Sequence, residues 1–424
     1  MIDKILETLN QNNIENYLLL EKTTTSAELF FVRRRLDISR GTKIKTYTLT
    51  VYHDVEKDGE KRRGSYLAYI HAGFSDAEIE SVVKSAYTSA VYAANEYYPL
   101  PKGEKETPIT IESSLNGLSL SDIAVKMSEA LFAADSLEDA YVNSAEIFAI
   151  HSDVRLINSA GIDVGYSNRT VKGEFVTTCE RGQNVEYYQQ FEYDGLQTQQ
   201  LTALAAQSLQ IARDRSVAAV SPKSGNYDVI LSGEQIHELL QIYDRRAWGG
   251  MIFPKYSDYK IGDSVQDGDI AGEKLNINLK ANVPYGEEGI RLIDRELVKD
   301  GVLTAITANA RWGHLLGVEP TGVYSKLELQ NGTVSLADMK KSPHLHIISF
   351  SDFQMDPMSG HFGGEIRLGY LFDGEKTTIV TGGSINGLIF EAHKDLAFST
   401  ERYADSKYDG PFAVRLKNVA VAGV

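Results

Sequence analysis

The sequence predicts an α+β protein, with an N-terminal half of antiparallel strands and long helices and a C-terminal half that forms a mostly antiparallel β domain. Up to about residue 222, alternating β-runs are mixed with long stretches of helical periodicity. From about Tyr227, helical patterns become rare and short β-runs separated by glycine dominate. We therefore expect an α/β block over 1–98, a second α/β block over 109–222 packed with the first, and a β-rich domain over 223–424.

The first block begins with an amphipathic helix and continues with three β-runs and a long helix. Turns are predicted at Arg40-Gly41-Thr42 and at Asp58-Gly59. Ser75 and Glu78 form a capping-box pattern that marks the start of the long helix. The three predicted strands are AELFFVRRRLDIS (27–39), KTYTLTVYHDV (45–55) and GSYLAYIHAG (64–73).

The second block follows a charged, proline-rich linker over residues 99–108. Helices are predicted at about 121–134 and through 201–209, on either side of the strand runs EIFAIHS, VRLINS and GEFVTTCE. The single cysteine, Cys179, lies in the last of these runs and cannot form an internal disulfide. We expect it to be an inert strand residue.

The β-rich domain is recognised by strand runs that glycine-containing turns separate. They are KLNINLKANV (274–283), IRLIDREL (290–297), LHIISFSDF (345–353), EIRLGYLF (365–372), TTIVTGG (377–383) and AVRLKNVAVAG (413–423).

Charge and composition exclude several classes of function. The 424-residue chain has 58 acidic and 43 basic residues, for a formal net charge of -15. Since nucleic-acid binding depends on Lys and Arg at phosphates, direct contact with DNA or RNA is disfavoured. No apolar run approaches the ~20 residues that span a bilayer, and the N-terminal helix lacks the apolar centre of a signal peptide. These patterns predict a protein of the cytoplasm with no membrane contact.

HELLQIYD, residues 237–244, begins with the His-Glu pair that opens the metal site of many zinc peptidases. Ser232 and Gln235 form a capping-box pattern ahead of it, which predicts a helix from 233 to about 245. Zinc on such a helix needs a second imidazole about one turn after the first. Position 241 is Gln and position 242 is Ile, so neither supplies it.

Two interpretations of His237 and Glu238 remain open from the residues alone. They are a surface or groove-edge pair on a capped helix, or they hold a metal with distant partners. A second candidate metal or substrate group lies further on: His344 and His346 point to one face of a strand, and His361 follows downstream. Paired histidines of this kind more often lie on the solvated face of a strand.

Five stretches, in order, resemble the TldD/PmbA family, whose PmbA member is also called TldE. Members of this family have been labelled modulators of DNA gyrase, and the family is now grouped with metallopeptidases. The resemblance covers roughly residues 20 to 424. Its five stretches are LINSAGIDV (156–164), PYGEEGIRLIDRELVKDGVL (284–303), ANARWGHLLGVEPTGVY (308–324), SGHFGGEIRLGYLFDGE (359–375) and AVRLKNVAVAG (413–423).

The resemblance implies a dimer and, in TldD-type members, a metal held by a His-Glu-x-x-x-His helix and a cysteine near the C-terminus. Aligned on this chain, that motif falls at Gln241, Ile242 and Arg246, and the C-terminal cysteine is absent. The chain therefore looks like the PmbA (TldE) type, which keeps the fold without the metal. By the same resemblance, we expect a peptide-binding region that includes these three positions together with His361 and Phe362.

The leading hypothesis is a metal-free subunit of a cytoplasmic peptidase pair that binds extended peptides, either as a homodimer or with a TldD-type subunit. No cofactor is expected in this chain. One alternative is a metal-dependent peptidase with a rebuilt site, using His237 and Glu238 or zinc at His344, His346 and His361. The other alternative is a non-enzymatic binding protein that modulates gyrase or a toxin system.

Overall fold

The N-terminal half forms one large, mostly antiparallel sheet with helices packed on it. The structure, a computed structural model, describes residues 1–423. The elements of this half are α1 (Ile2–Gln11), β1 (Asn16–Val32), β2 (Arg35–Lys57), β3 (Glu60–His71), α2 (Asp76–Ala90), β4 (Asn95–Glu96), β5 (Ile109–Thr110), α3 (Leu120–Ala133), β6 (Ala140–Asn158), β7 (Asp163–Cys179), β8 (Val185–Tyr193) and α4 (Thr198–Val217).

The two predicted N-terminal blocks share this sheet. Its strand order is β4-β3-β2-β1-β6-β7-β5, and β8 pairs with β7. The junction is the antiparallel pairing of β1 with β6, which runs from Leu18 opposite Asn158 to Val32 opposite Ser144. One face is covered by α3 and α4 over β6 to β8, and α1 and α2 cover the β2–β3 side.

The predicted strand AELFFVRRRLDIS and the predicted turn at Arg40-Gly41-Thr42 are both wrong. The chain reverses at Arg33 and Arg34 between β1 and β2, and Arg33 adopts a φ of 56°. Gly41 lies inside β2, opposite Ala27. A two-residue hairpin of arginines carries no glycine or asparagine signal, so the long strand pairing, and not local turn preference, decides where the chain reverses.

Two further differences concern β6 and β8. The runs EIFAIHS and VRLINS form one continuous strand, β6, and β8 was not predicted. Cys179 ends β7 and is fully buried, with its thiol 3.4 Å from Ser216 Oγ. The long helix α2 begins as expected, since Ser75 and Glu78 make both hydrogen bonds of a capping box.

The C-terminal half consists of two further sheets and short helices. Its elements are β9 (Gly225–Ser232), α5 (Glu234–Arg246), α6 (Gly249–Ile252), β10 (Ile277–Lys280), β11 (Arg295–Lys299), β12 (Val302–Leu303), α7 (Ala310–Leu316), β13 (Lys326–Leu329), α8 (Leu336–Met339), β14 (His344–Met355), β15 (His361–Phe372), β16 (Thr377–Val380), β17 (Ser384–Leu388), α9 (Ile389–Ala392), β18 (Ala397–Phe398), β19 (Arg402–Ala404), β20 (Tyr408–Pro411) and β21 (Ala413–Ala422).

Five of these strands close into a ring in the order β9-β14-β15-β17-β21, and β21 pairs back to β9. The pairing of β9 with β14 is parallel, and the other four pairings are antiparallel. The second sheet has the order β12-β11-β10-β13-β20-β19. One apolar core, which includes α5, joins the two sheets, so the α+β prediction with a β-rich C-terminal half is confirmed.

No helix among residues 1–423 combines the length and the apolar character needed to cross a bilayer.

Candidate functional site

A cleft of about 1380 Å³ lies between the N-terminal sheet and the C-terminal half. Its floor is one face of the sheet, because β1 and β6 contribute alternate residues, which point to the same side of a strand. The intervening residues, such as Leu29, Ile147 and Ala149, are buried in the core beneath α3 and α4. The floor residues of β1 and β6 are Thr24, Ser26, Glu28, Glu146, Phe148 and Ile150.

The C-terminal half supplies the opposite wall of the cleft. It contributes the first two turns of α5, the middle of β14 and the hairpin of β19 and β20. Four residues of α5 line the cleft, and they are Glu234, Gln235, His237 and Glu238. The His-Glu pair that stands out in the sequence therefore lies at the edge of this cleft.

β14 presents its edge to the cleft, and not one of its faces. Five consecutive residues, 349–353, line the cleft, although successive side chains of a strand point to opposite faces. On one side β14 pairs with β15 through Ser349, Phe350 and Phe353, and the pairing is irregular at the two residues between Phe350 and Phe353. On the other side β9 pairs only with residues 345–347. Within residues 1–423, the main chain at 349–353 has no strand partner on that side.

Side chains of α5 hold both ends of this free edge. The amide of Gln235 donates a hydrogen bond to the carbonyl oxygen of Ile348 at 3.2 Å. The backbone N–H of Met355 donates to Glu238 Oε1 at 3.3 Å. Glu238 also accepts a hydrogen bond from the side chain of Gln241. Glu238 is thus a positioning residue for β14.

His237 is half-buried beside the β19–β20 hairpin. Its ring lies edge-on to Tyr408, with 6.4 Å between ring centroids. Burial lowers the pKa of His237, although the nearby Asp405 acts in the opposite direction. The imidazole is therefore neutral at neutral pH. Burial raises the pKa of Glu234 one turn earlier, and Asp405 adds to that increase.

The predicted capping box at Ser232 is wrong. The hydroxyl of Ser232 is 3.0 Å from His346 Nε2, so it is engaged by a residue of β14 and does not cap α5. The N-cap is Gly233, with a φ of 68°. Only the reverse half of the pattern forms, in which the Ser232 N–H donates to Gln235 Oε1 at 3.3 Å.

His344 and His346 point to the same side of β14, but both are buried, contrary to the expectation of a solvated face. Burial lowers the pKa of His346 to about 3. His361 is exposed at the start of β15, whereas His344 pairs with Phe372 at the far end of that strand. The structure therefore does not bring the three histidines together as a metal site.

The His, Cys, Asp and Glu side chains of the described chain are not arranged to bind zinc. Among residues 1–423, no three His, Cys, Asp or Glu side chains are placed to share a metal ion. At the positions aligned with the TldD-type motif, Gln241 binds Glu238 and Ile242 lies in the core. The guanidinium of Arg246 donates to the carbonyl of Met358 at 3.2 Å and to Asp258 at 2.8 Å, which ties α5 to the β14–β15 turn.

The five positions expected to form the peptide-binding region do not line the cleft. Gln241, Ile242 and Phe362 are buried, Arg246 is engaged as described, and His361 is exposed elsewhere. Sequence patterns also did not point to residues 349–353 or to the β19–β20 hairpin. No local signal marks them, because their place in the cleft depends on how the two halves of the chain pack.

Comparisons with known proteins agree with the resemblance seen in the sequence. Residues 224–423 match the family model described as the PmbA/TldA metallopeptidase C-terminal domain. No curated protein shows significant sequence similarity to the chain.

Similar solved structures extend over the whole chain. TldE from Thermococcus kodakarensis has 14% identity, a TM-score of 0.79, and coverage of 99% of this chain and 100% of that one. A candidate modulator of a DNA gyrase from Thermotoga maritima has 16% identity, a TM-score of 0.76 and 99% coverage of both chains. A candidate modulator of DNA gyrase from Bacteroides thetaiotaomicron has 17% identity, a TM-score of 0.80, and coverage of 100% and 98%. At these identities, the matches show a shared fold.

Proposed function

Because the chain is a member of the TldD/PmbA family, we propose that it is the metal-free subunit of a peptidase pair and binds extended peptides in the cleft. The free edge of β14 at residues 349–353 is the observation that carries this proposal. An extended peptide can add to such an edge as a further strand through main-chain hydrogen bonds, which tolerate many sequences. Five residues of edge correspond to roughly 17 Å of peptide.

The arrangement around β14 supports this proposal. Gln235 and Glu238 occupy the polar backbone groups at Ile348 and Met355 and leave the stretch between them open. The edge is therefore held in place at both ends. A strand held in place binds a peptide at a smaller cost in conformational entropy than a mobile one.

The side chains that could bind a metal support different roles for two subunits, one that binds the peptide and one that carries the metal. His237 and Glu238 have no third ligand near them among the described residues, and Glu238 is already committed to Met355. Hydrolysis in our proposal therefore depends on a partner subunit that carries the metal, and this chain contributes the surface that orients the peptide.

Binding of a fluorescent extended peptide, measured by polarisation, tests the role of the edge. An N-methylated peptide of identical sequence keeps its side chains but cannot pair with a strand edge. We expect it to bind at least about 10-fold more weakly, because each hydrogen bond contributes on the order of 1 kcal/mol. Equal affinity of the two peptides would contradict edge pairing.

Two tryptophan variants test whether the peptide binds at the β14 edge. Ser351 is exposed on the β14 edge and Ser85 is exposed on α2, outside the cleft. Ser351→Trp should obstruct the cleft and abolish binding, and Ser85→Trp should leave it unchanged. Cleavage of the peptide by the purified chain with added zinc, and without any partner, would show that the metal-free assignment is wrong.

A further inference from the structure

The cleft carries carboxylates that the fold does not neutralise. Among residues 1–423, two of its acidic residues form ion pairs, Glu28 with Arg40 and Asp409 with Arg402, and a third, Glu192, lies opposite Lys172 in the β7–β8 register without an ion pair. Six others line the cleft and make no ion pair with Lys or Arg within the described chain, and they are Glu146, Glu174, Glu234, Glu238, Asp352 and Asp405.

Two of the six form a like-charge pair on the floor. Glu146 of β6 lies directly opposite Glu174 of β7 in the antiparallel register. Like charges in this position destabilise a sheet. The pKa of Glu146 is raised by burial first and by Glu174 second. Tyr188 donates a hydrogen bond to Glu174 at 2.6 Å. The guanidinium of Arg40 partly opposes the increase in the pKa of Glu146, but it is already paired with Glu28.

A second pair of carboxylates lies on the opposite wall. Glu234 at the start of α5 and Asp405 in the β19–β20 turn are close enough for Asp405 to raise the pKa of Glu234. Asp405 accepts hydrogen bonds from the backbone of Lys407 and Tyr408, at 2.7 and 2.8 Å. The ammonium of Lys407 partly offsets their charge. His237, between these elements, is neutral and adds no positive charge.

We infer that the cleft selects extended peptides that carry lysine or arginine side chains, one held at Glu146 and Glu174 and another at Glu234 and Asp405. This inference rests on the proposed function, since the cavity and the free strand edge define the site and the carboxylates define the charge of its occupant. Phe148 on the floor and Phe350 on β14 provide apolar surface for the aliphatic stems of these side chains. A single metal ion is a poorer match, because no three of these groups converge among residues 1–423.

The test compares three peptides of one backbone that carry lysine, glutamine or glutamate at two positions. Polarisation measurements at low salt should show the lysine peptide binding at least about 10-fold more tightly than the glutamine peptide, and the glutamate peptide most weakly. The preference should shrink as salt rises to about 0.5 M, because screening weakens attraction between exposed charges.

Two double variants with the same change in net charge test whether the lysine preference arises at the floor of the cleft. Glu146→Gln with Glu174→Gln removes the floor pair and relieves its repulsion, so folding should not suffer. We expect it to reduce the lysine preference to about threefold or less. Glu7→Gln with Glu319→Gln changes two exposed carboxylates outside the cleft and should keep the preference.

The outcomes separate the two proposals. Equal binding of the lysine and glutamine peptides, or a lysine preference that is undiminished in the Glu146→Gln, Glu174→Gln variant, overturns the charge selectivity alone. In that case binding that still depends on the peptide backbone leaves the proposed function standing. If no peptide binds the chain at all, both proposals are wrong.

Discussion

Asp244 on α5 shows how strongly burial controls the chemistry of a single residue in this protein. Burial raises the pKa of its carboxyl group to about 7, and the neighbouring Arg245 only partly opposes this. The folded state therefore binds more protons at this site than the unfolded state between about pH 4 and pH 7. The site lowers the free energy of unfolding as pH rises through that window, and the loss persists above pH 7.

Replacing Asp244 by asparagine should remove this loss. We expect Asp244→Asn to raise the free energy of unfolding at pH 8 by on the order of 2 kcal/mol and to leave it nearly unchanged at pH 4. Urea denaturation at the two pH values measures the difference. Asp269→Asn, at an exposed carboxyl group, should change neither value. A gain of equal size at both pH values would contradict a protonation effect at Asp244.

Individual site residues were predictable only in part. The sequence indicated a helix that bears His237 and Glu238 and allowed for a place at a groove edge, and the structure has this arrangement. The main-chain partner of Glu238, Met355, is 117 positions away and leaves no local pattern. The alternation of side chains along a strand correctly predicted that His344 and His346 point to the same side. Whether that side is solvated depended on elements packed against it.

At the scale of elements, a local sequence pattern predicts the structure correctly where no tertiary partner competes for the same hydrogen-bonding groups. Ser75 and Glu78 form their capping box because both partners lie within one turn of exposed helix. Ser232 offers the same pattern, but His346 engages its hydroxyl. The β1–β2 reversal at Arg33 follows the same rule, because its long strand pairing outweighs the turn preference of Gly41.

Gly64 provides a test of how closely two elements approach. A Cβ atom at this position of β3 would lie 1.8 Å from the carbonyl oxygen of Ala90 at the end of α2. Because the backbone of α2 or β3 would have to shift to remove this clash, Gly64→Ala should lower the free energy of unfolding by at least about 2 kcal/mol. Gly73→Ala is the matched control, because a Cβ there meets nothing within 4 Å. Chemical denaturation should show a change within about 0.5 kcal/mol for this control. Similar values for both variants would mean that β3 and α2 can separate.

At the scale of the whole molecule, the cleft exists only because the C-terminal half is held against the N-terminal sheet. Tyr285 contributes to this junction and is 2% exposed. Its ring packs with Leu156 and Ile162 of the second block. Its hydroxyl donates to Glu106 of the linker at 2.7 Å and accepts from Arg291 at 3.0 Å.

Removing that hydroxyl should loosen the junction. Tyr285→Phe is expected to lower the free energy of unfolding by about 1 kcal/mol and to speed tryptic cleavage in the linker over 99–108. Denaturation and timed proteolysis measure the two effects. Tyr92→Phe, at a side chain that is 88% exposed, should alter neither. An unchanged cleavage rate for Tyr285→Phe would show that the junction does not depend on this hydrogen bond.

The sequence by itself determined the α+β class, the β-rich C-terminal half and the family, because periodicity and the order of short signatures are properties of the chain alone. It also indicated that the TldD-type ligands are missing at Gln241, Ile242 and Arg246. Only the tertiary structure decided where a ligand can bind. The edge of β14 is open at 349–353 because β9 stops pairing at Leu231, and the floor faces it because β1 pairs with β6 across more than 100 residues of chain. Contacts between residues so distant in sequence are set by packing and leave no local pattern.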